Sequence, residues 1–214
     1  MKFVLLVEGD TEQRVLPDFF QRWLNAKLSQ RVGVQAVPLD GCGNYLARFA
    51  RKAQIHLSGP NSRQVIAVIG LLDLFGPQNF YPAHLRTADE RFRWGRQKLE
   101  AEVDHPRFRQ FFAVHELEAW LLSDPDIFPA PLKSALRSAG SNPEAVNSEQ
   151  PPAKLLSKLY REKLKAGSGR VEYKKTVDGS ELFRKLDPAV AYQKCPCLKE
   201  LFDEMLRLAQ ASGC

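Results

Sequence analysis

Lys2-Phe3-Val4-Leu5-Leu6-Val7-Glu8-Gly9-Asp10-Thr11-Glu12 is the stretch on which the fold turns. An amphipathic helix would interrupt the run Phe3 to Val7 with polar residues, and a half-buried strand would alternate. An unbroken apolar run of strand length suits a strand covered on both faces, as in a parallel sheet. Glu8 to Glu12 then break the run. Gly9 permits a tight turn, Asp10 or Thr11 can cap a following helix, and Glu12 suits its first turn, where the macrodipole favours negative charge.

Outward from there, Val15, Phe19, Trp23 and Leu24 recur at helical spacing, while Pro17 predicts a kink or a delayed helix start. Val32–Leu39 reads as a short strand. Asp40-Gly41-Cys42-Gly43-Asn44 is a turn, and Tyr45–Leu57 a helix with Leu46, Phe49, Ala50 and Ala53 on one side. Gln64–Asp73 is the second strongly apolar strand, and it too ends in an acid. The order β-α-β-α-β implies parallel strands joined by right-handed crossovers. Leu74–Leu85 is an irregular loop, Thr87–Val103 a helix and Phe108–Val114 a fourth parallel strand, with a helix starting at His115. Prolines at 125, 129, 131, 143, 151 and 152 make 125–152 a linker or loose helical insertion. Residues 154–165 and 198–211 read as helices, with Gly167-Ser168-Gly169 between them. The expectation is an α/β domain over 1–124, Rossmann-like with about four mostly parallel strands, and a helical appendage over 125–214 packing on it.

Composition narrows the class. The 214 residues are 44% hydrophobic and 26% charged, an ordinary globular balance that excludes collagen, coiled coil and disorder. No apolar run approaches the roughly 18 residues of a membrane span, and the N-terminal run is too short for a secretory signal. Four cysteines (Cys42, Cys195, Cys197, Cys214) lack disulfide-framework or zinc spacing, so a cytoplasmic location is expected. Lys plus Arg exceed Asp plus Glu by 31 to 25. The excess is concentrated between 154 and 175, where Lys154, Lys158, Arg161, Lys163, Lys165, Arg170, Lys174 and Lys175 face only Glu162 and Glu172. Such a stripe suits a nucleic-acid partner, because neutralising phosphates releases counterions. A solvated helix face reads the same way on charge alone.

In open α/β sheets ligands bind beyond the carboxyl ends of the strands. Acids stand at three such ends: Glu8, Asp73, and Glu116 with Glu118. Converging carboxylates repel unless a hard cation lies between them, and Mg²⁺ takes one or two carboxylates while keeping waters. Such an ion can activate water and screen a scissile phosphate. On a helix Glu116 and Glu118 would point about 200° apart, so one of them faces the site, and Glu118 is taken as the third acid. Lys175 is a candidate phosphate contact, as are Gly9, Thr11, Gly41 and Gly43 around the first two turns. His115 reads equally as a general base or as a hydrogen-bonded helix-start residue. Tyr173 reads as a core or rim aromatic, and Trp94 and Trp120 read as core.

Val7-Glu8-Gly9-Asp10-Thr11-Glu12 resembles the first motif of the Toprim domain, shared by topoisomerases, primases and overcoming-lysogenization-defect nucleases. The resemblance implies a Glu after strand one and an Asp-x-Asp after strand three, binding Mg²⁺ or Mn²⁺. Asp73-Leu74-Phe75 keeps the first Asp and has Phe in place of the second. Asp73-Leu74-Phe75-Gly76 with Phe80-Tyr81-Pro82, His115-Glu116-Leu117-Glu118-Ala119-Trp120-Leu121, Tyr173-x-Lys175-x-x-x-Gly179 and Cys195-Pro196 are similar to one small bacterial Toprim-like family, the domain-of-unknown-function family four-two-seven-six. The resemblance implies a Toprim-type three-layer sandwich in a cytoplasmic bacterial protein, often encoded beside an ATPase in defence-associated loci. The function expected is a Mg²⁺-dependent phosphodiesterase or nuclease acting on DNA or RNA, with Glu8, Asp73 and Glu118 as the catalytic acids and these three with Glu116 as the metal ligands. The alternatives are a catalytically silent nucleic-acid-binding or regulatory subunit working with the ATPase, and a small-molecule phosphatase using the same acids.

Overall fold

In a computed structural model of the chain, residues 1–77, 79–145, 151–166 and 169–214 are described. Four strands, β1 (Lys2–Val7), β2 (Gly33–Pro38), β3 (Val65–Asp73) and β4 (Phe108–Ala113), form one sheet in the order β2-β1-β3-β4. All pairings are parallel: Val7 lies opposite Pro38, Leu6 opposite Gly70, and Asp73 opposite Ala113. The two apolar runs are the central strands. Phe3 to Val7 and Val65 to Ile69 are at most 3% exposed, because helices cover both faces.

The layers follow from the crossovers. One face carries α1 (Asp10–Asn25) and α9 (Pro196–Ala211); the other carries α2 (Cys42–Ser58) and α3 (Ala88–Val103). Gly70, without a side chain, leaves room over the sheet for Tyr45, whose hydroxyl donates to Gln110 Oε1 at 3.0 Å. Between β4 and α9 lie α4 (Glu118–Leu122), α5 (Ala130–Leu136), α6 (Pro152–Lys163), α7 (Ser180–Lys185) and α8 (Pro188–Lys194). Leu132, Leu156, Phe183 and Phe202 join the same buried cluster as the strands. Among the described residues no helix is long and apolar enough to cross a membrane. All four cysteines are free.

Several expectations need correction. Helix α1 starts at Asp10 and runs through Pro17. Its buried face of Val15, Leu16, Phe19, Phe20, Trp23 and Leu24 gives far more, at about 1.5–3 kcal/mol per large apolar side chain, than the roughly 3 kcal/mol an internal proline costs. Its N-cap is Gly9 with no side-chain hydrogen bond, so neither Asp10 nor Thr11 caps it. Helix α2 starts at Cys42, three residues before the periodicity suggested. No helix starts at His115: that residue takes φ 67, and α4 begins at Glu118. Trp120 is buried at 1% exposure, whereas Trp94 is half-buried and packs edge-on against Phe80 at 5.3 Å. Helices α7 and α8 have no counterpart in the sequence, whereas α5 realises the helical alternative expected for the Pro-rich segment. Of the expected Gly167-Ser168-Gly169 break, Gly167 and Ser168 lie outside the described residues.

Candidate functional site

The chain leaves β1 toward β2 on one side, then crosses to β3 on the other, so the strand order reverses between β1 and β3. In a doubly wound sheet that reversal opens a crevice at the carboxyl ends of the two strands. Glu8 follows β1 and Asp73 closes β3, so both acids flank it. Their proximity shows at Gly76, where an added Cβ would lie 3.4 Å from Asp73 Cβ and 3.6 Å from Glu8 Oε2.

The loop after β2 holds Glu8 in place. Leu39 N–H donates to Val7 O at 3.0 Å and Gly41 N–H to Glu8 O at 2.8 Å, which folds the loop back over the end of β1. Gly41 takes φ 98, a conformation that favours glycine. This turn aims the first N–H of α2, from Cys42, at the Glu8 carboxylate. Glu8 Oε2 stays buried with no hydrogen-bond partner among the described residues. Burial, then the charge of Glu12, raises the Glu8 pKa; Lys175 and the Cys42 N–H oppose this without cancelling it. Asp73 is raised well above the carboxylate range by burial, with Glu8, Glu12 and Glu118 adding to it against Lys175. The Cys42 thiol is pushed up to about 11 by burial and by both acids.

The other half of the site comes from the ends of β4 and from the segment before α7. Glu118 is 2% exposed. Its Oε1 accepts from the Tyr173 hydroxyl at 3.3 Å, and its Oε2 meets Lys175 Nζ at 3.3 Å. Lys175 opens a single π-helical turn, Lys175–Gly179, an arrangement frequent at functional sites. Burial alone would lower the Lys175 pKa, but Glu118, Asp73, Glu12 and Glu116 outweigh it and hold it above its ordinary value. Glu116 Oε2 accepts from Ala153 N–H, in the first turn of α6, at 3.0 Å. Since Glu116 precedes α4, the helical angle that set it against Glu118 does not apply, and both acids act on Lys175.

The structure thus brings Glu8, Asp73, Glu116, Glu118 and Lys175 into one cluster and adds Glu12, which the sequence reading treated as a first-turn acid. The signal was available: Glu12 is one helical turn from Glu8, across the Gly9 bend. Gly9 and Thr11 lie at the start of α1 beside Glu8. The Gly41 amide is already engaged by Glu8 O, and Gly43 is exposed in the first turn of α2. Phe75, at the position of the second Toprim-type acid, stacks on His115 at 4.9 Å.

Hard oxygen donors, a buried unpartnered carboxylate oxygen and five acids around one ammonium suit a divalent cation. Among the described residues no three acidic, thiol or imidazole side chains form a ready-made ligand set. With Glu118 paired to Lys175 and Glu116 bonded to the Ala153 N–H, Glu8 and Asp73 at the strand ends, with Glu12 beside them, are the acids left to hold an ion whose other ligands are waters.

The fold and site define an α/β protein with an acidic cluster and one lysine at the switch point of a four-stranded parallel sheet. The chain belongs to the family described as Domain of unknown function (DUF4276), whose model matches residues 7–206. Two solved structures are similar to it. One is the C-terminal region of the Burkholderia pseudomallei OLD protein, 17% identical over 95% of this chain and 98% of that chain, with a TM-score of 0.46. The other is the C-terminal region of the Xanthomonas campestris pv. campestris OLD protein, 16% identical over 98% of this chain and 97% of that chain, with a TM-score of 0.45. Comparison with curated proteins gave no match.

Proposed function

We propose that this protein is a Mg²⁺- or Mn²⁺-dependent phosphodiesterase acting on nucleic acid, with its reaction centre at Glu8 and Asp73. The observation that carries the reading is the buried, unpartnered Glu8 Oε2 beside Asp73 at the sheet's switch point. A carboxylate oxygen left unpaired in a buried site is costly, and a cation is the partner that relieves it. The Toprim-like spacing of Glu8 and Asp73 in the sequence points the same way.

Bound there, the ion would supply Lewis-acid activation of water and screening of the phosphate. The chain's own residues do the rest. Glu8 and Asp73, fixed by the α2 N–H and the end of β3, hold the ion. Lys175, kept protonated by the surrounding acids, offers its ammonium to a non-bridging phosphate oxygen. Glu118 and Tyr173 position that ammonium. Glu12 adds negative charge on the α1 side, where it favours retention of the cation.

Nucleic acid as substrate is supported by charge. Lys154, Lys158 and Arg161 are exposed on α6 at i, i+4 and i+7, so they share one helix face, and the first turn of that helix is hydrogen-bonded to Glu116. A chain neutralising several phosphates should lose affinity steeply with salt. The test is cleavage of labelled single-stranded DNA and RNA in Mg²⁺ or Mn²⁺. Cleavage should be abolished by chelator and weakened by salt. Metal-independent cleavage, or none of either polymer, refutes the reading.

One observation favours a catalytically silent scaffold instead. Phe75 stands where the second acid of the motif would be, and Lys175 already neutralises Glu118. Such a subunit would bind nucleic acid and work through a partner ATPase, as the family resemblance implies for defence loci. Calorimetric titration with Mn²⁺ separates the two, since the enzyme requires saturable binding that Glu8→Gln removes.

A further inference from the structure

We propose that the cleft beside the acids is a base-binding subsite: Phe75 stacks the nucleobase next to the phosphate held at Glu8 and Asp73, so the nucleic acid is bound unpaired there. This deepens the phosphodiesterase reading and rests on it. Among the described residues the exposed large hydrophobic side chains are Met1, Ile55, Phe75 and Val177, and Phe75, 38% exposed, is the aromatic one. It does not lie on open surface. With Asp73, Gly76, His115, Glu116 and Pro151 it lines a cleft of ≈ 280 Å³, near the small end of ligand sites.

The two kinds of wall decide what fits. Asp73 and Glu116 make one side acidic, and Phe75 with His115 makes another flat and aromatic. A ligand filling both needs a cation-bound anionic group within a few ångströms of a planar apolar face. In a nucleic-acid strand every phosphodiester is one sugar away from such a face, and every base has a π-surface an aromatic ring can meet.

The ring is held by His115 and Arg91, and the part of it they leave exposed is what a base can cover. His115 stacks on it at 4.9 Å with 21° between planes, and the Arg91 guanidinium lies 5.3 Å from its centroid. The same guanidinium is 5.4 Å from the Tyr81 ring, so α3 anchors this side of the loop. His115 reaches Phe75 only because the chain turns at φ 67 directly after β4. That conformation is uncommon outside glycine, and such strain gathers where a side chain must be aimed. An acid at position 75 would add charge to a cluster that already sets five carboxylates against one ammonium. An aromatic there adds a flat contact and no charge. A base inside a duplex is stacked on both faces, so a base on this shelf has to have left the stack, which a single strand allows at the least cost.

The experiment uses the full chain and fluorescein-labelled single strands of about twelve nucleotides, within the span such sites cover. DNA, RNA and an abasic strand of equal length are compared, with binding followed by anisotropy in Ca²⁺. Wild type should bind the base-bearing strands about ten-fold more tightly than the abasic one. Phe75→Ala should lose that advantage while binding the abasic strand unchanged, and Phe75→Trp should keep it. The DNA and RNA arms show which sugar is taken, and a Phe75-dependent base preference in either supports the subsite. Equal affinity of wild type and Phe75→Ala for base-bearing strands, an equal loss on the abasic strand, or no binding to any strand overturns it. Cleavage in Mg²⁺ is scored separately. Phe75-dependent binding without cleavage would refute the phosphodiesterase and keep the subsite; cleavage without base preference would do the reverse.

Discussion

If the proposed reaction centre is right, Glu8→Gln should lower Mg²⁺-stimulated cleavage by at least about 100-fold, more than the loss typical when a residue merely supporting a metal ligand is changed. Asp73→Asn should do the same. Neither variant unfolds the protein. In chelator both are more stable than wild type at neutral pH, and the sign follows from the pKa directions. Burial raises the folded-state pKa of each acid above its unfolded value. The folded state then binds more protons than the unfolded one, so metal-free stability falls as pH rises from the unfolded pKa through the folded one. An amide removes that loss. The expected gain in Tm is on the order of 2–4 °C, which about 1 kcal/mol gives in a chain of this size. It should vanish below about pH 3, where both acids are protonated in the folded and the unfolded state alike. A variant that is inactive because it misfolds would show the opposite shift, so calorimetric melting distinguishes the two causes.

Lys175→Met produces the second large effect, on stability and activity together. Glu118, 2% exposed, loses the ammonium 3.3 Å away and retains the Tyr173 hydroxyl and its own backbone N–H. Removing one partner of a fully buried ion pair costs about 3–5 kcal/mol; here about 2 kcal/mol is expected, because the Lys175 side chain is 37% exposed and partly screened. The raised Lys175 pKa means its contribution is complete below the unfolded lysine value and is lost only above it, in strongly alkaline solution. The deficit should be largest at the pH where Glu118 is ionised. Below that it should shrink as the orphaned Glu118, already raised by burial, takes up a proton. Lys175→Met with Glu118→Gln should recover most of the stability, since no buried charge is left unpaired, while cleavage stays lost. Recovery of both would reduce Lys175 to a structural counter-ion.

Much of this architecture is legible in the sequence because two strands are apolar without interruption. Phe3 to Val7 and Val65 to Leu72 admit no amphipathic alternative, and the helices between them force parallel pairing. Parallel pairing puts every strand's carboxyl end on one rim, so an acid after β1 and another closing β3 can be read as neighbours. The failures have equally local causes. Pro17 weighs heavily in a single-helix argument and lightly once six large apolar side chains bury against the sheet. Glu12 already had an explanation as a first-turn acid, which hid its place in the cluster. Helices of six and seven residues such as α7 and α8 are shorter than the window periodicity needs. The His115 turn depends on a backbone conformation that residue type signals only weakly.

The most direct measurement of the central claim is a crystal structure of the protein soaked in Mn²⁺, with anomalous scattering collected at the manganese edge. A peak between the carboxylates of Glu8 and Asp73, absent from Glu8→Gln crystals treated identically, is the predicted result. A map with no peak there, while Lys175 and Glu118 remain paired, would contradict it.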